Sequence, residues 1–478
     1  MYDYYKFKLE NNIDVIYIPN KTNISAIQIF VKVGSVDENS AEKGISHFLE
    51  HILFKGTKKR KIAKAIAIEL DSLGAYFNAY TDKDVTCFIV KVKTDYIKVA
   101  LDILSDMIFN SLFNEKAVEM ERNVVIEELN KYKDSHITQV IENLDKIIYK
   151  NHPLMYPIIG EQKDINNLTK ENIIKFWKKY YCSNNISISV CSNKSKIEIQ
   201  FLLNAYFNNY NFCENINVNK ESKLNIQSEP RYNIIYNKKI EQVYLALGFP
   251  SCDRYNNDKY ILEIIVTILA GNMSSRLFTS MREKNGLSYN ISSDVNLYKD
   301  NGSINIVTSF DKDSLILKNI NEIKYINNFN QLYESIFNDD KFGPGALPII
   351  IHELHKLKTE LVKDDELSKI IGFLEGTLTL DDESCLNLSE WYGRQLIEQH
   401  SIINKKQLFE KYKSVTPEDI MNISKKYFDF NKLNISIIGN YDVNYVKSFI
   451  NYYIFNEIYS NKDTKKNNYI SFLSSLFK

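Results

Sequence analysis

The chain has no cysteine pair at C-x-x-C spacing; its six cysteines, Cys87, Cys182, Cys191, Cys213, Cys252 and Cys385, are scattered. A chain of 478 residues needs no covalent staples, so free thiols in a reducing compartment are expected over a disulfide framework. Neither sign of charge is in excess. With 60 basic and 60 acidic residues, the overall balance offers no footprint for nucleic acid or an anionic membrane. Apolar runs are short, none approaching the roughly 18–20 residues that span a bilayer. The opening residues, Met1-Tyr2-Asp3-Tyr4-Tyr5-Lys6, hold neither an apolar signal core nor an Arg/Ser-rich amphipathic stretch, so a cytoplasmic location is expected. Also missing are G-x-S-x-G, the P-loop and G-x-G-x-x-G, which removes the sequence grounds for a serine-elbow hydrolase or a nucleotide-binding enzyme.

What is present reads as globular. Hydrophobic residues make up 44% and charged residues 25% of a chain too long for one ordinary core, so two or more domains are expected. Strand-like patterns at Ile13–Ile18 and at Ile27, Ile29, Val31 and Val33 are followed by helical spacing after Gly44. Further helices are expected from Ile62 to Leu73, from Tyr96 to Asn110, from Asn114 to about Tyr132, from Ile137 to Tyr149, and from Thr169 onward, with strands at Thr86–Val90 and Ile186–Val190. A polar stretch without periodicity, 216–232, reads as a linker. After it the opening order returns: a strand at Val243–Phe249, an apolar helix at Asp258–Leu269, and a strand at Ile304–Val307. An Asn-rich stretch with Gly and Pro, about 318–348, reads as an insertion. Helices resume at Ile351, a last one is capped by Thr416 with Pro417 in its first turn, and a strand at Leu433–Ile438 precedes a polar tail, 446–478.

The chemistry gathers in Gly44-Ile45-Ser46-His47-Phe48-Leu49-Glu50-His51. On a helix, His47 and His51 lie one turn apart on a single face, where two imidazoles can grip one metal ion. Glu50 stands on a neighbouring part of that face. This H-x-x-E-H order is the reverse of the H-E-x-x-H helix and is itself a zinc-protease signature. A catalytic zinc takes three protein ligands, and the helix Glu121-Arg122-Asn123-Val124-Val125-Ile126-Glu127-Glu128 offers candidates. Glu121 and Glu128 share a face, two turns apart, while Glu127 points about 100° away. Spacing leaves two readings: Glu128 as ligand with Glu121 orienting its surroundings, or an exposed acidic face. Asn78, after Gly74, reads as a donor near the site or as a turn asparagine. His352-Glu353-Leu354-His355 lacks the i, i+4 pairing and reads as a solvated helix, and His136, His152 and His400 have no neighbour at metal-ligand spacing in the sequence.

These residues resemble the pitrilysin, or inverzincin, family of zinc peptidases (peptidase M16), which includes insulin-degrading enzymes and mitochondrial processing peptidases. Gly44 to Thr57 resembles its zinc segment, Gly74-Ala75-Tyr76-Phe77-Asn78-Ala79-Tyr80-Thr81 its G-x-x-x-N-A-x-T segment, and Glu121 to Glu128 its downstream acidic helix. The gap of 128 − 51 = 77 positions matches the family and selects Glu128 over Glu127. In the second half, Asn272 to Phe278 and Arg282-Glu283-Lys284-Asn285-Gly286-Leu287-Ser288-Tyr289 resemble the C-terminal-domain motif.

The resemblance implies an α+β fold of two homologous domains. Each is a mixed, largely antiparallel sheet with helices packed on it, and together they form half of a clam-like chamber. A zinc-binding catalytic domain would occupy 1–215 and a related domain without metal 233–445. One Zn2+ per chain would be held by His47, His51 and Glu128, with Glu50 as general base and Arg282 and Tyr289 as further catalytic groups. Glu121 and Asn78 would support the ligands, and Asn78, Ala79 and Tyr80 would bind substrate along an edge strand. The implied function is a metalloendopeptidase acting on unfolded peptides or presequences, as a homodimer or as a heterodimer with a similar chain. The alternatives are a non-catalytic scaffold subunit and a zinc hydrolase of non-peptide amides.

Overall fold

The computed structural model describes residues 3–210, 224–315, 344–399 and 401–441, with 444, 446 and 447. The expected insertion lies outside these residues except for 344–348, and the expected tail lies outside them except for 446 and 447.

Period-two alternation builds the first sheet. Its strands are β1 (Tyr5–Lys8), β2 (Asp14–Pro19), β3 (Ile24–Val31), β4 (Tyr76–Thr81), β5 (Thr86–Lys93) and β6 (Ile186–Ser192). They stand in the order β1-β2-β6-β3-β5-β4, with β2 and β6 parallel and every other pair antiparallel. In β3, Ile27, Ile29 and Val31 enter one buried cluster, while Ala26 and Phe30 enter two others on the opposite face. Both faces are therefore covered, and β3 is buried along nearly its whole length.

The helices of the first half are α1 (Ile45–Leu53), α2 (Ala63–Ser72), α3 (Ile97–Phe109), α4 (Glu115–Asp134), α5 (His136–Ile148), α6 (Gln162–Asn167), α7 (Lys170–Tyr180) and α8 (Lys196–Phe207). Phe48 and Ile52 of α1, Leu104 of α3, Val125 of α4, Phe176 of α7 and Leu203 of α8 pack with Ile27 and Ile29. The second half adds α9 (Asp258–Ala270), α10 (Ala346–Thr359), α11 (Asp364–Asp381), α12 (Cys385–Glu398), α13 (Lys405–Lys413) and α14 (Pro417–Tyr427). Its sheet contains β7 (Arg231–Tyr236), β8 (Gln242–Ser251), β9 (Ser288–Leu297), β10 (Gly302–Asp311) and β11 (Asn434–Gly439), in the order β7-β11-β8-β10-β9. Here β7 and β11 are parallel and the remaining pairs antiparallel. The fold is α+β, with two mixed, largely antiparallel sheets and helices packed on them.

The chain separates into two compact units, and each takes one segment from the other half of the sequence. Residues 373–410, which include α12, belong to the first unit; residues 135–150, which include α5, belong to the second. Helix α12 lies on the sheet face opposite α1, with Leu388 and Tyr392 against Ile16, Ile18 and Ala26. The approach is close enough that a Cβ at Gly393 would sit 2.2 Å from the Phe30 ring. Gln28, buried within the sheet, donates to the Leu386 carbonyl (3.0 Å), so its amide is satisfied there. Helix α5 lies along β7, β8 and β11 in the same manner, and a Cβ at Gly248 would come within 2.6 Å of Ile148 Cδ1.

The stretch read as a linker runs into β7 at Arg231, and α10 begins at Ala346, inside the stretch read as an insertion. Helix α8 and strand β9 go beyond the sequence expectation. The first had a visible start signal, the reciprocal Ser195–Glu198 capping box. Four thiols, those of Cys87, Cys191, Cys252 and Cys385, are free and buried as expected, whereas Cys182 is disulfide-bonded.

Candidate metal centre

Two glycines and a buried carboxylate set the start of α1. Gly44 and Gly160 have φ of +85° and +78°, and a Cβ on Gly44 would stand 2.4 Å from the Ile159 carbonyl oxygen. Only glycine takes that backbone at that distance. Glu38 accepts hydrogen bonds from the backbone N–H groups of Gly44 (2.9 Å) and Ser46 (2.9 Å), the orphan donors of the first helical turn. Burial pushes the Glu38 carboxyl up to about 7, against the pull of those bonds and of Lys43. Ile45, Phe48, Leu49, Ile52 and Leu53 then fill the core, and the remaining flank of α1 carries His47, Glu50 and His51.

The two imidazole rings are 4.6 Å apart, centroid to centroid. Opposite them, α4 supplies Glu128, whose Oε2 lies 3.8 Å from His47 Nε2 and 3.5 Å from His51 Nε2. One ligand atom from each of the three lies within 4.8 Å of the others, and no other such group occurs among the described residues. Glu127 is exposed, so the direction of its side chain on α4 agrees with the helical wheel. Glu121, two turns earlier, is buried and bonds His51 Nδ1 at 2.8 Å. That bond orients the ring so that Nε2 lies on the side of Glu128. Lys55 Nζ lies 2.6 Å from the other oxygen of Glu121, and Tyr132 donates to Glu128 Oε1 at 3.1 Å.

The electrostatics suit a cation. Burial, and then the neighbouring His51, pull His47 down to about 3, so His47 is a neutral donor. Burial alone would lower His51, but its bond to Glu121 and the charges of Glu50, Glu121 and Glu128 outweigh it and raise it. The carboxylates thus favour positive charge beside His51 while His47 stays neutral, and two imidazole nitrogens and a carboxylate oxygen converge there, a donor set that zinc accepts. Glu50 is almost fully buried; burial raises its pKa, opposed by the hydrogen bond from Thr81 Oγ1 to Oε2 at 2.7 Å.

The remaining residues singled out from the sequence fall elsewhere. Asn78 is exposed, bonded to the Ala79 N–H (2.9 Å) and to the Tyr76 hydroxyl (3.4 Å). It lies three positions before Thr81, hence on the other face of β4, and Thr81 is the strand residue that meets the site. Ala79 packs toward the core under α1, Tyr80 bonds Glu390 of α12, and β4 itself is the edge of its sheet. Arg282 and Tyr289 belong to the second unit, where the guanidinium lies 4.5 Å from the Tyr289 ring centroid and 5.0 Å from that of Phe278. Sequence reasoning missed Glu38, Lys55, Thr81 and Tyr132. Two of these had a signal: Tyr132 is one turn after Glu128 on α4, and strand alternation sets Thr81 apart from Asn78.

The family model described as "Insulinase (Peptidase family M16)" matches residues 14–162, and "Peptidase M16 inactive domain" matches residues 167–371. An "Uncharacterized zinc protease" of Rickettsia felis is 32% identical over 423 residues, covering 88% of this chain and 94% of that protein. A protein of Bacillus subtilis with the same description is 34% identical over 305 residues, 63% of this chain and 72% of that one. Among solved structures, a protease from Helicobacter pylori superposes with a TM-score of 0.81 at 21% identity, covering 92% of this chain and all of that one, which speaks to the fold. On these matches, the chain belongs to the insulinase family, peptidase family M16.

Proposed function

We propose that this chain is a zinc-dependent metalloendopeptidase acting on unfolded peptides or presequences, with Glu50 as its general base. The observation that carries the reading is the placing of Glu50, a buried carboxylate on the helix whose two histidines converge with Glu128. His47, His51 and Glu128 would hold one zinc ion per chain. When bound there, zinc supplies a Lewis acid that lowers the pKa of water and polarises a peptide carbonyl.

The protein's own groups do the rest. Burial raises the Glu50 pKa, which brings this carboxylate closer to a range where it can both take and return a proton. Thr81 occupies Oε2, leaving Oε1 to accept the proton of the attacking water and pass it to the leaving amine. Glu121 fixes the His51 tautomer, and Lys55 neutralises Glu121 on its far side. The outer edge of β4, which pairs with no strand among the described residues, offers backbone groups around Asn78, Ala79 and Tyr80 to an extended peptide, which would add to the sheet as a further strand. Arg282 and Tyr289 are assigned, on the family resemblance, to holding a substrate carbonyl. Pairing with a second, similar chain in the cytoplasm is part of the same reading, and sedimentation of the purified protein tests it.

Replacing Glu50 with Gln should leave the zinc content unchanged and reduce hydrolysis of a quenched peptide by about 10²- to 10⁴-fold. Turnover retained in that variant contradicts the assignment of the base. Wild-type protein that binds zinc and cleaves no member of a peptide library supports the scaffold alternative.

A further inference from the structure

The hydrogen bond from Thr81 to Glu50 raises the question of what holds Thr81. It is the last residue of an edge strand, paired only with Thr86 of β5 across a short turn closed by the Asp82 N–H to the Val85 carbonyl (2.8 Å). The carbonyls of Asp82 and Lys83 also accept from the N–H groups of Ser35 (3.3 Å) and Val36 (2.8 Å), which holds the turn but leaves the aim of the Thr81 side chain to its neighbours in the strand. Here the residues on either side of Thr81 are tied down from behind the sheet. Tyr80 donates to Glu390, and its ring lies under the Arg394 guanidinium at 5.2 Å. Asp82 Oδ2 accepts from Arg394 Nη2 at 3.0 Å. Arg394 is itself oriented on its other edges, with Nε to Glu390 at 2.9 Å and Nη1 to Glu398 at 2.8 Å. All three edges of one guanidinium are thus engaged, in a fork that holds direction as well as charge.

Glu390, Arg394 and Glu398 are successive one-turn neighbours on α12, a helix that the second half of the sequence contributes to the first unit. Alternation along β4 makes the link. Tyr80 and Asp82 face α12, and Thr81, between them, faces Glu50. Resting on the reading of Glu50 as the base, we propose that Thr81 is a positioning residue for Glu50, and that Arg394 with Glu390 positions Thr81 through the sheet. Helix α12 then does more than cover an apolar face: it aims the carboxylate that moves the proton.

A double-mutant cycle on peptide hydrolysis tests this. Thr81→Val is expected to lower kcat about 10- to 100-fold with KM within about twofold, because misaimed general bases lose rate rather than binding. Thr81→Ser, which keeps the hydroxyl, should restore most of the rate. Arg394→Met is expected to lower kcat about three- to tenfold, and Thr81→Val combined with Arg394→Met should be no slower than Thr81→Val alone, since both act on one link. Zinc content, and zinc retention against a chelator, should match wild type throughout. Losses that multiply in the double variant, or an undiminished kcat in Arg394→Met, overturn the proposal. Should Arg394→Met fail to fold, Glu390→Gln takes its place with the same expectations and the same overturning results. Wild-type protein without hydrolysis removes the reading of Glu50 and this proposal together, whereas active wild type with multiplying losses removes the proposal alone.

Discussion

Leaving out β1, the two units have one strand plan: β2-β6-β3-β5-β4 in the first and β7-β11-β8-β10-β9 in the second, with the same pairing senses throughout. Each returns through a Thr-capped helix, α7 or α14, and a short 3-10 turn to its inner strand. They differ in the helix that follows the long central strand. In the first unit that helix, α1, carries His47, Glu50 and His51. In the second it is α9, with Leu262, Ile264, Ile265, Ile268 and Leu269 buried and no histidine. Its half-buried carboxylate, Glu263, is raised by desolvation and accepts from the Tyr412 hydroxyl. The same scaffold therefore carries a converging His-His-Glu donor set in one unit and plain core in the other, according to a few side chains. Function lives in the grafted site.

The sharpest way to break the comparison is to make the first unit resemble the second. On the proposed function His51→Ala removes a zinc ligand, together with the group that Glu121 bonds, and peptide hydrolysis should fall by about 10³-fold or more, as loss of a catalytic metal requires. Kinetics with zinc supplied in excess measure it. Glu121→Gln should act more mildly, weakening zinc retention about 10- to 100-fold, the range typical of losing the partner that orients a ligating histidine. Titration against a chromogenic chelator reads this directly.

The two exchanged helices give a second comparison. Gly393→Ala pushes a methyl into the Phe30 ring, flanked by the Ser189 side chain, at 2.2 Å; Gly248→Ala meets the flexible end of Ile148 at 2.6 Å. Thermal or urea unfolding should show Gly393→Ala destabilising by about 1–3 kcal/mol and Gly248→Ala by less. Equal effects would mean that α5 and α12 are packed with equal tightness. The smallest change is expected from Glu263→Gln in α9, which keeps a neutral acceptor for Tyr412. Zinc content and turnover should stay at wild-type values, with stability altered by about 1 kcal/mol or less.

Much of this was legible in the sequence, because local rules produce it. Helical spacing puts His47 and His51 on one face and separates Glu128 from Glu127, and period two marks β3 and β8. The repeat of the strand-then-helix order after the polar stretch at 216–232 corresponds to the repeated strand plan. What was illegible depends on contacts distant in sequence. Periodicity marks α5 and α12 as helices, yet nothing local in either says that it covers the sheet built mainly by the other half. Glu38 reads as one more acidic loop residue until the fold sets it under the first turn of α1. Thr81 is hidden differently: Asn78 is the conspicuous polar residue of its segment, while strand parity assigns the face toward Glu50 to Thr81. Strand β9, half-exposed at a sheet edge, buries too little to leave a clear apolar alternation.

On the proposed function, the first of the two like-built units holds one zinc ion and the second holds none. Elemental analysis of the purified, dialysed chain tests it most directly, read beside the His47→Ala/His51→Ala double variant. One zinc per chain is expected in the wild type and essentially none in the double variant. Two zinc ions per chain, or one retained without the histidines, would contradict it.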